Sequence, residues 1–114
     1  MNKQKNLLQI NSDKMGEGSP GLGQTLMGNY LKLILQEEIL PSFIVFYNSG
    51  VKLTVEGSPL IETLRKIENK GVKLLSCKTC LNHFELLDKM RVGMAGTMID
   101  IIALQKEATK VITL

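Results

Sequence analysis

Residues 42–48 read SFIVFYN, a continuous apolar run of β-branched and aromatic residues that follows Pro41 and ends at the turn-forming Asn48-Ser49-Gly50. A strand with one wet face alternates polar and apolar residues. This run does not alternate, so it predicts a strand covered on both faces, the habit of parallel sheets held between helices.

The flanking segments follow the same logic. Leu7 to Ser12, LLQINS, predicts a first strand emptying into the glycine-rich loop GEGSPGLG. From Leu22 to about Glu38, helical spacing of Leu22, Leu26, Tyr30 and Leu33, widened by Met27, Leu31, Ile34 and Leu35, predicts a largely buried helix. Ser58-Pro59 reads as an N-cap followed by proline at the first helical position, with Leu60, Ile61, Leu64 and Ile67 on one face and Gly71 as the stop. VKLLS, residues 72–76, predicts the third strand, and Leu81 to Met90 the helix after it. RVGMAG supplies a short strand, Thr97 with Asp100 a capping-box start to MIDIIALQKEA, and KVITL the last strand. Strands alternating with helices in this order predict a single three-layer α/β domain: a mainly parallel sheet of about five strands, flanked by helices through right-handed crossovers. It is expected to span residues 1–114, with 1–6 flexible.

The segment Gly50 to Gly57 is ambiguous. Val51, Leu53 and Val55 alternate as in a strand, but glycines bracket them, which predicts a loop with apolar side chains free to meet another subunit. Met15, Met94 and Met98 are candidates for the same adaptable surface. Filling the core is the competing role for all of these residues.

Charge narrows the partners. The 14 Lys and Arg are scattered among 11 Asp and Glu, and none of the 2 Tyr and 3 Phe interleaves with a basic cluster, which argues against nucleic acid. No apolar run approaches the roughly 18 residues of a membrane span, and the N-terminus lacks a secretory pattern. The expectation is a cytoplasmic protein with no membrane partner.

Both cysteines of the chain fall in Ser76-Cys77-Lys78-Thr79-Cys80, SCKTC. Three uses fit the spacing: gripping a metal, cycling between dithiol and disulfide, or carrying sulfur as a persulfide. In a parallel sheet, ligands gather beyond the carboxyl ends of the strands, which predicts that loops 11–23, 48–57 and 76–80 meet. A thiol at a helix start, with Lys78 nearby, is expected to favour the thiolate. Cys77, Cys80 and His83 form C-x2-C-x2-H, yet a closed zinc site needs a fourth ligand and His83 is the only histidine, so no metal site is assigned. His83 is instead a candidate for helping to deprotonate Cys80. A literal G-x-G-x-x-G runs from Gly16 to Gly21, with Glu37 near the distance of a ribose-binding acid; Asp13-Lys14-Met15 before it and Pro20 within it spoil the phosphate cradle, and no cofactor is expected.

INSDKMGEG, FYNSGVKLTVEGSP and VKLLSCKTCL, in that order, resemble the C-terminal domain of YedF-type proteins associated with selenium metabolism, within the wider DsrE/DsrF-like group. The likeness extends from about Leu7 to Leu114. It implies a DsrE-like α/β domain that assembles into trimers or hexamers and passes sulfane sulfur as a cysteine persulfide between donor and acceptor proteins. Carried onto this chain, the working cysteine is Cys77 and the second thiol Cys80, its resolver. Lys78 stands where the YedF-type motif has glycine, and the N-terminal sulfur-carrier domain with its CPxP cysteine is not part of the sequence. The readings that compete with a sulfurtransferase-like role are a non-enzymatic subunit binding a partner through Gly50 to Gly57, and a CxxC dithiol redox module.

Overall fold

The computed structural model describes residues 5–114. In chain order the elements are strand β1 (Asn6–Ile10), helix α1 (Pro20–Ile34), strand β2 (Phe43–Phe46), a 3-10 helix (Asn48–Thr54), α2 (Ile61–Asn69), β3 (Lys73–Cys77), the short α3 (Lys78–His83), a 3-10 turn (Leu87–Lys89), β4 (Met94–Gly96), α4 (Met98–Glu107) and β5 (Lys110–Thr113). The five strands form one parallel sheet in the order β4-β3-β2-β1-β5, as the unbroken apolar run at β2 predicts for a central strand. Of the six N-terminal residues expected to be flexible, residues 1–4 lie outside the described part, whereas Asn6 pairs with Lys110.

The strand order also explains the layers. From β1 to β4 the chain steps one way across the sheet, so right-handed crossovers keep those connections on one face. The return from β4 to β5 runs the opposite way and puts α4 on the other face. The larger core therefore gathers Leu8, Ile10, Ile44, Phe46 and Leu74 beneath α1 and α2. A smaller one gathers Leu7, Val45 and Cys77 beneath Ile101 of α4.

Several elements differ from the pattern read in the sequence. Helix α1 ends at Ile34, and its buried stripe is Gly23, Met27 and Leu31, shifted from the expected one, so that Leu22, Leu26 and Leu33 face outward. Helix α2 begins at Ile61 rather than Pro59, with Leu60 at its N-cap, although the Ser58 hydroxyl accepts the Leu60 N–H at 3.1 Å as a capping serine would. The segment 50–57 is no exposed loop. It enters the 3-10 helix with Val51, Leu53 and Val55 all buried, and its tail is tied to residues 89–92 by Glu56 N–H to Lys89 O at 2.8 Å and Arg91 N–H to Thr54 O at 2.8 Å. The alternation reflected burial on several sides and not a sheet ladder.

Helix α3 was expected to run from Leu81 to Met90 and instead occupies Lys78–His83. Its stop is a Schellman motif: Leu86 N–H reaches Leu81 O at 2.8 Å and Glu85 N–H reaches Asn82 O at 3.1 Å. The left-handed residue such a stop requires is Glu85, φ 57°, in the place usually held by glycine. The capping box of α4 is present as read, with Thr97 and Asp100 bonding each other's backbone N–H groups.

Candidate functional site

The three loops expected together do meet at the carboxyl ends of the strands. Tyr47 N–H donates to Ile10 O at 3.1 Å, which ties the end of β2 to the end of β1. Gly50 packs so closely on the Ile10 carbonyl that a Cβ there would collide with it, and that Cβ would also lie 3.3 Å from Ser12 N. Thr54 Oγ1 lies 3.2 Å from Ser76 Oγ in a buried pair, joining the 3-10 helix to β3. Asn48 N–H donates to Cys80 Sγ at 3.1 Å, which brings the loop after β2 onto the thiol motif.

Both cysteines are free thiols, and they are unlike. Cys77 ends β3 and caps α3; it is 1% exposed, held in the smaller core. Cys80, one turn into α3, is half-buried and packs against both cores. Burial pushes the Cys80 thiol above its ordinary pKa; the Asn48 amide works against that rise, and the Cys77 thiol beside it adds to it. The expected lowering at the helix start is not the outcome at Cys80, because desolvation outweighs the single amide.

Lys78 and His83 are exposed, and the His83 ring sits edge-on to Phe84 with centroids 4.9 Å apart. Among the described residues, no group of three or more His, Cys, Asp and Glu side chains is placed to share a metal ion. The glycine-rich loop folds back over the start of α1, where Met15 N–H donates to Gly23 O at 3.0 Å. Five residues, 11–15, separate the end of β1 from Gly16, and Glu37 follows α1 rather than ending a second strand, so the dinucleotide geometry is not formed. Met94 and Met98 are exposed, whereas Met15 packs against the larger core.

A broad cleft of about 890 Å³ opens between α1 and residues 52–60, with Phe84 and Leu86 at its side and Lys52 Nζ 4.5 Å from the Phe84 ring centroid. Neither thiol lines it. The two thiols therefore lie outside this cleft, whose wall includes Phe84, the residue that caps α3. The one participant that residue-type reasoning passed over is the Asn48 main-chain amide. Its signal was Asn-Ser-Gly after a strand, a turn sequence that tolerates a left-handed backbone, and Asn48 has φ 50°.

Comparison with known proteins identifies the family and the fold. Residues 25–114 match the sequence profile of the DsrE/DsrF-like family. No curated protein matches the chain by sequence. Among solved structures, the YchN protein of E. coli superposes with a TM-score of 0.75 at 19% identity, covering 98% of this chain and 100% of that one. A protein of unknown function from Methanobacterium thermoautotrophicum, MTH1491, superposes with a TM-score of 0.73 at 17% identity, with 98% and 100% covered. At these identities the likeness establishes the shared fold. No helix among the described residues is long and apolar enough to cross a membrane.

Proposed function

The chain belongs to the DsrE/DsrF-like family, and from that premise we propose that it handles sulfur: the Cys77 and Cys80 dithiol accepts sulfane sulfur from a donor protein, holds it as a cysteine persulfide and yields it to an acceptor thiol. The observation that carries this reading is the meeting of two free thiols at the end of β3 with a main-chain N–H aimed at one of them. Thiol exchange needs an attacking thiolate, and an amide donor at the sulfur favours that charged form. Within the family, the CxxC of SCKTC favours the YedF-type branch and a setting in selenium metabolism.

Two outward apolar faces support assembly with further copies of the chain. Leu22, Leu26 and Leu33 of α1 lie on one side of the sheet, and Met98, Ile99 and Ile102 of α4 on the other. Different patches on opposite sides suit a head-to-tail contact that closes into a ring, in keeping with a trimer or a hexamer built from trimers. The rival role of 50–57 as a partner-binding loop loses its basis, since its apolar side chains are in the core.

Intact-mass spectrometry after incubation with a cysteine desulfurase and cysteine tests the proposal. The expected result is a gain of one sulfur atom that reductant removes, retained where a single cysteine-to-serine replacement prevents the pair from discharging it. No gain on the native chain or on either single variant, or an equal gain when both cysteines are serine, would sink it. A dithiol redox role is the second reading, favoured by the packing of Cys80 against the small core that holds Cys77. It is preferred if the pair forms a reversible disulfide with a measurable potential yet takes up no sulfur.

A further inference from the structure

The two thiols differ in what can reach them. Cys77 is enclosed by Leu7, Val45 and Ile101, in a core where close packing leaves no approach path for another protein's sulfur. Cys80 is half-buried and is the thiol that receives the Asn48 N–H. We infer that Cys80 is the thiol on which sulfur is taken up, that Asn48 positions the amide serving it, and that Cys77 is the internal thiol that discharges it. This order reverses the one implied by family resemblance, and it rests on the sulfur-handling reading above.

The uptake step is a displacement at sulfur. The Cys80 thiolate attacks the outer sulfur of a donor persulfide; an S–S bond forms to Cys80, the donor's S–S bond breaks, and the donor thiolate leaves with the electron pair and takes a proton from solvent. An acceptor thiolate then attacks the outer sulfur and restores the Cys80 thiolate, with no net redox change. Without an acceptor, the Cys77 thiolate attacks Cys80 Sγ. A Cys77–Cys80 disulfide forms, and hydrosulfide leaves, protonated by the proton Cys77 gave up. The carried sulfur is thereby reduced to sulfide while the two thiols are oxidised, and an external dithiol returns them to the reduced pair.

The amide is held where it is needed. Asn48 occupies the left-handed region at φ 50°, which asparagine tolerates better than most residues. On either side of it, Tyr47 N–H bonds the Ile10 carbonyl and Gly50 is pressed against that same carbonyl. The loop therefore cannot turn its N–H away from Cys80 without breaking the seam between β1 and β2. The other titratable groups at the smaller core, against which Cys80 packs, are Cys77 at the end of β3 and Tyr47 just after β2, while Lys78 and His83 on the helix of Cys80 are exposed.

Single variants Cys77→Ser and Cys80→Ser, incubated with cysteine desulfurase and cysteine and separately with inorganic polysulfide, test the order by intact mass. Sulfur is expected on Cys77→Ser protein and not on Cys80→Ser protein. Uptake by Cys80→Ser alone overturns the order. Uptake by neither variant nor by the native chain overturns the sulfur reading instead, and iodoacetamide then still reports the order: Cys80 of the native chain should label at least about tenfold faster than Cys77. Faster labelling of Cys77 refutes the assignment. In the Cys77→Ser background, Asn48→Ala disfavours the left-handed backbone and should raise the pH midpoint of Cys80 alkylation by about one unit. Asn48→Gly, which keeps that backbone, should restore it, and an unmoved midpoint in Asn48→Ala overturns the positioning role.

Discussion

The two faces of the sheet are built to different standards. One face is covered by α1, α2 and the 3-10 helix 48–54, and contains Phe46, Leu64 and Val51 with no accessible surface. The other lies under α4 alone; its buried set is Leu7, Val45, Cys77 and Ile101, and α4 turns Ile99 outward at 77% exposure. The thick face holds the fold together. The thin face holds one thiol and leaves apolar surface for other copies of the chain. Cys80 touches both cores, so the proposed chemistry sits at their boundary.

Deleting a large side chain from each face sharpens that contrast. Phe46→Ala should cost about 3–5 kcal/mol, because a ring surrounded on all sides leaves a cavity that central strands cannot close. That is a large fraction of the roughly 5–15 kcal/mol by which a domain is stable, and urea unfolding should show a much earlier midpoint. Ile101→Ala should cost less, about 2 kcal/mol, since a single helix resting on the sheet can settle into the space. If Ile101→Ala proves as damaging as Phe46→Ala, the thin face is part of the main core and the distinction fails.

The same contrast governs what could be read from the residues. The central strand was legible because SFIVFYN is apolar on both sides, and the α4 start because Thr97 and Asp100 make a capping box with few alternatives. The stripe of α1 was right at Met27 and Leu31, which are buried, and at Tyr30, Ile34 and Leu35, which pack on the core, but wrong at three leucines that face outward. Leu22, Leu26 and Leu33 have the right spacing, but the actual contact line runs through Gly23, Met27, Gly28 and Leu31, where glycines let the helix approach closely. A glycine contributes nothing to an apolar pattern, so the pattern pointed to the larger residues facing out. Segment 50–57 was illegible for a related reason: a 3-10 helix buried on several sides has no period that distinguishes it from a short strand. At the site, both thiols and their loop neighbours were foreseeable from a parallel sheet's habit of collecting loops at one end. Their unequal burial was not, because it depends on α4 covering Cys77 at the end of β3 while Cys80 sits in the first turn of α3.

The end of α3 lies where the chain passes from the thiols back to the thick face, and its stop carries strain. Glu85 holds the left-handed position of the Schellman motif, a conformation that costs a side-chain-bearing residue about 1–2 kcal/mol. Glu85→Gly removes that cost and loses about 0.4–1 kcal/mol through the freer unfolded chain. The net gain should be about 0.5 kcal/mol, seen as a small rise in urea midpoint with the slope unchanged. A loss of stability would mean that the Glu85 side chain anchors the turn.

The smallest effect probes the boundary itself. Burial first, and the Cys77 thiol after it, push the Cys80 pKa above its ordinary value of 9.0, while the Asn48 amide opposes them. A thiol with a raised folded-state pKa holds its proton more tightly in the native chain than in the unfolded one. Its contribution to stability is therefore complete below the unfolded pKa and is lost as pH rises through the folded one. Lysines and tyrosines titrate over the same alkaline range, so the contribution must be read as a difference between the native chain and Cys80→Ser. That difference should be flat up to about pH 8 and shrink above pH 9. In Cys77→Ser protein the decline should be weaker, because one of the causes of the shift has gone. A difference that stays flat to the highest accessible pH would show that Cys80 is solvated like any surface thiol, and the two cores would then not close around it.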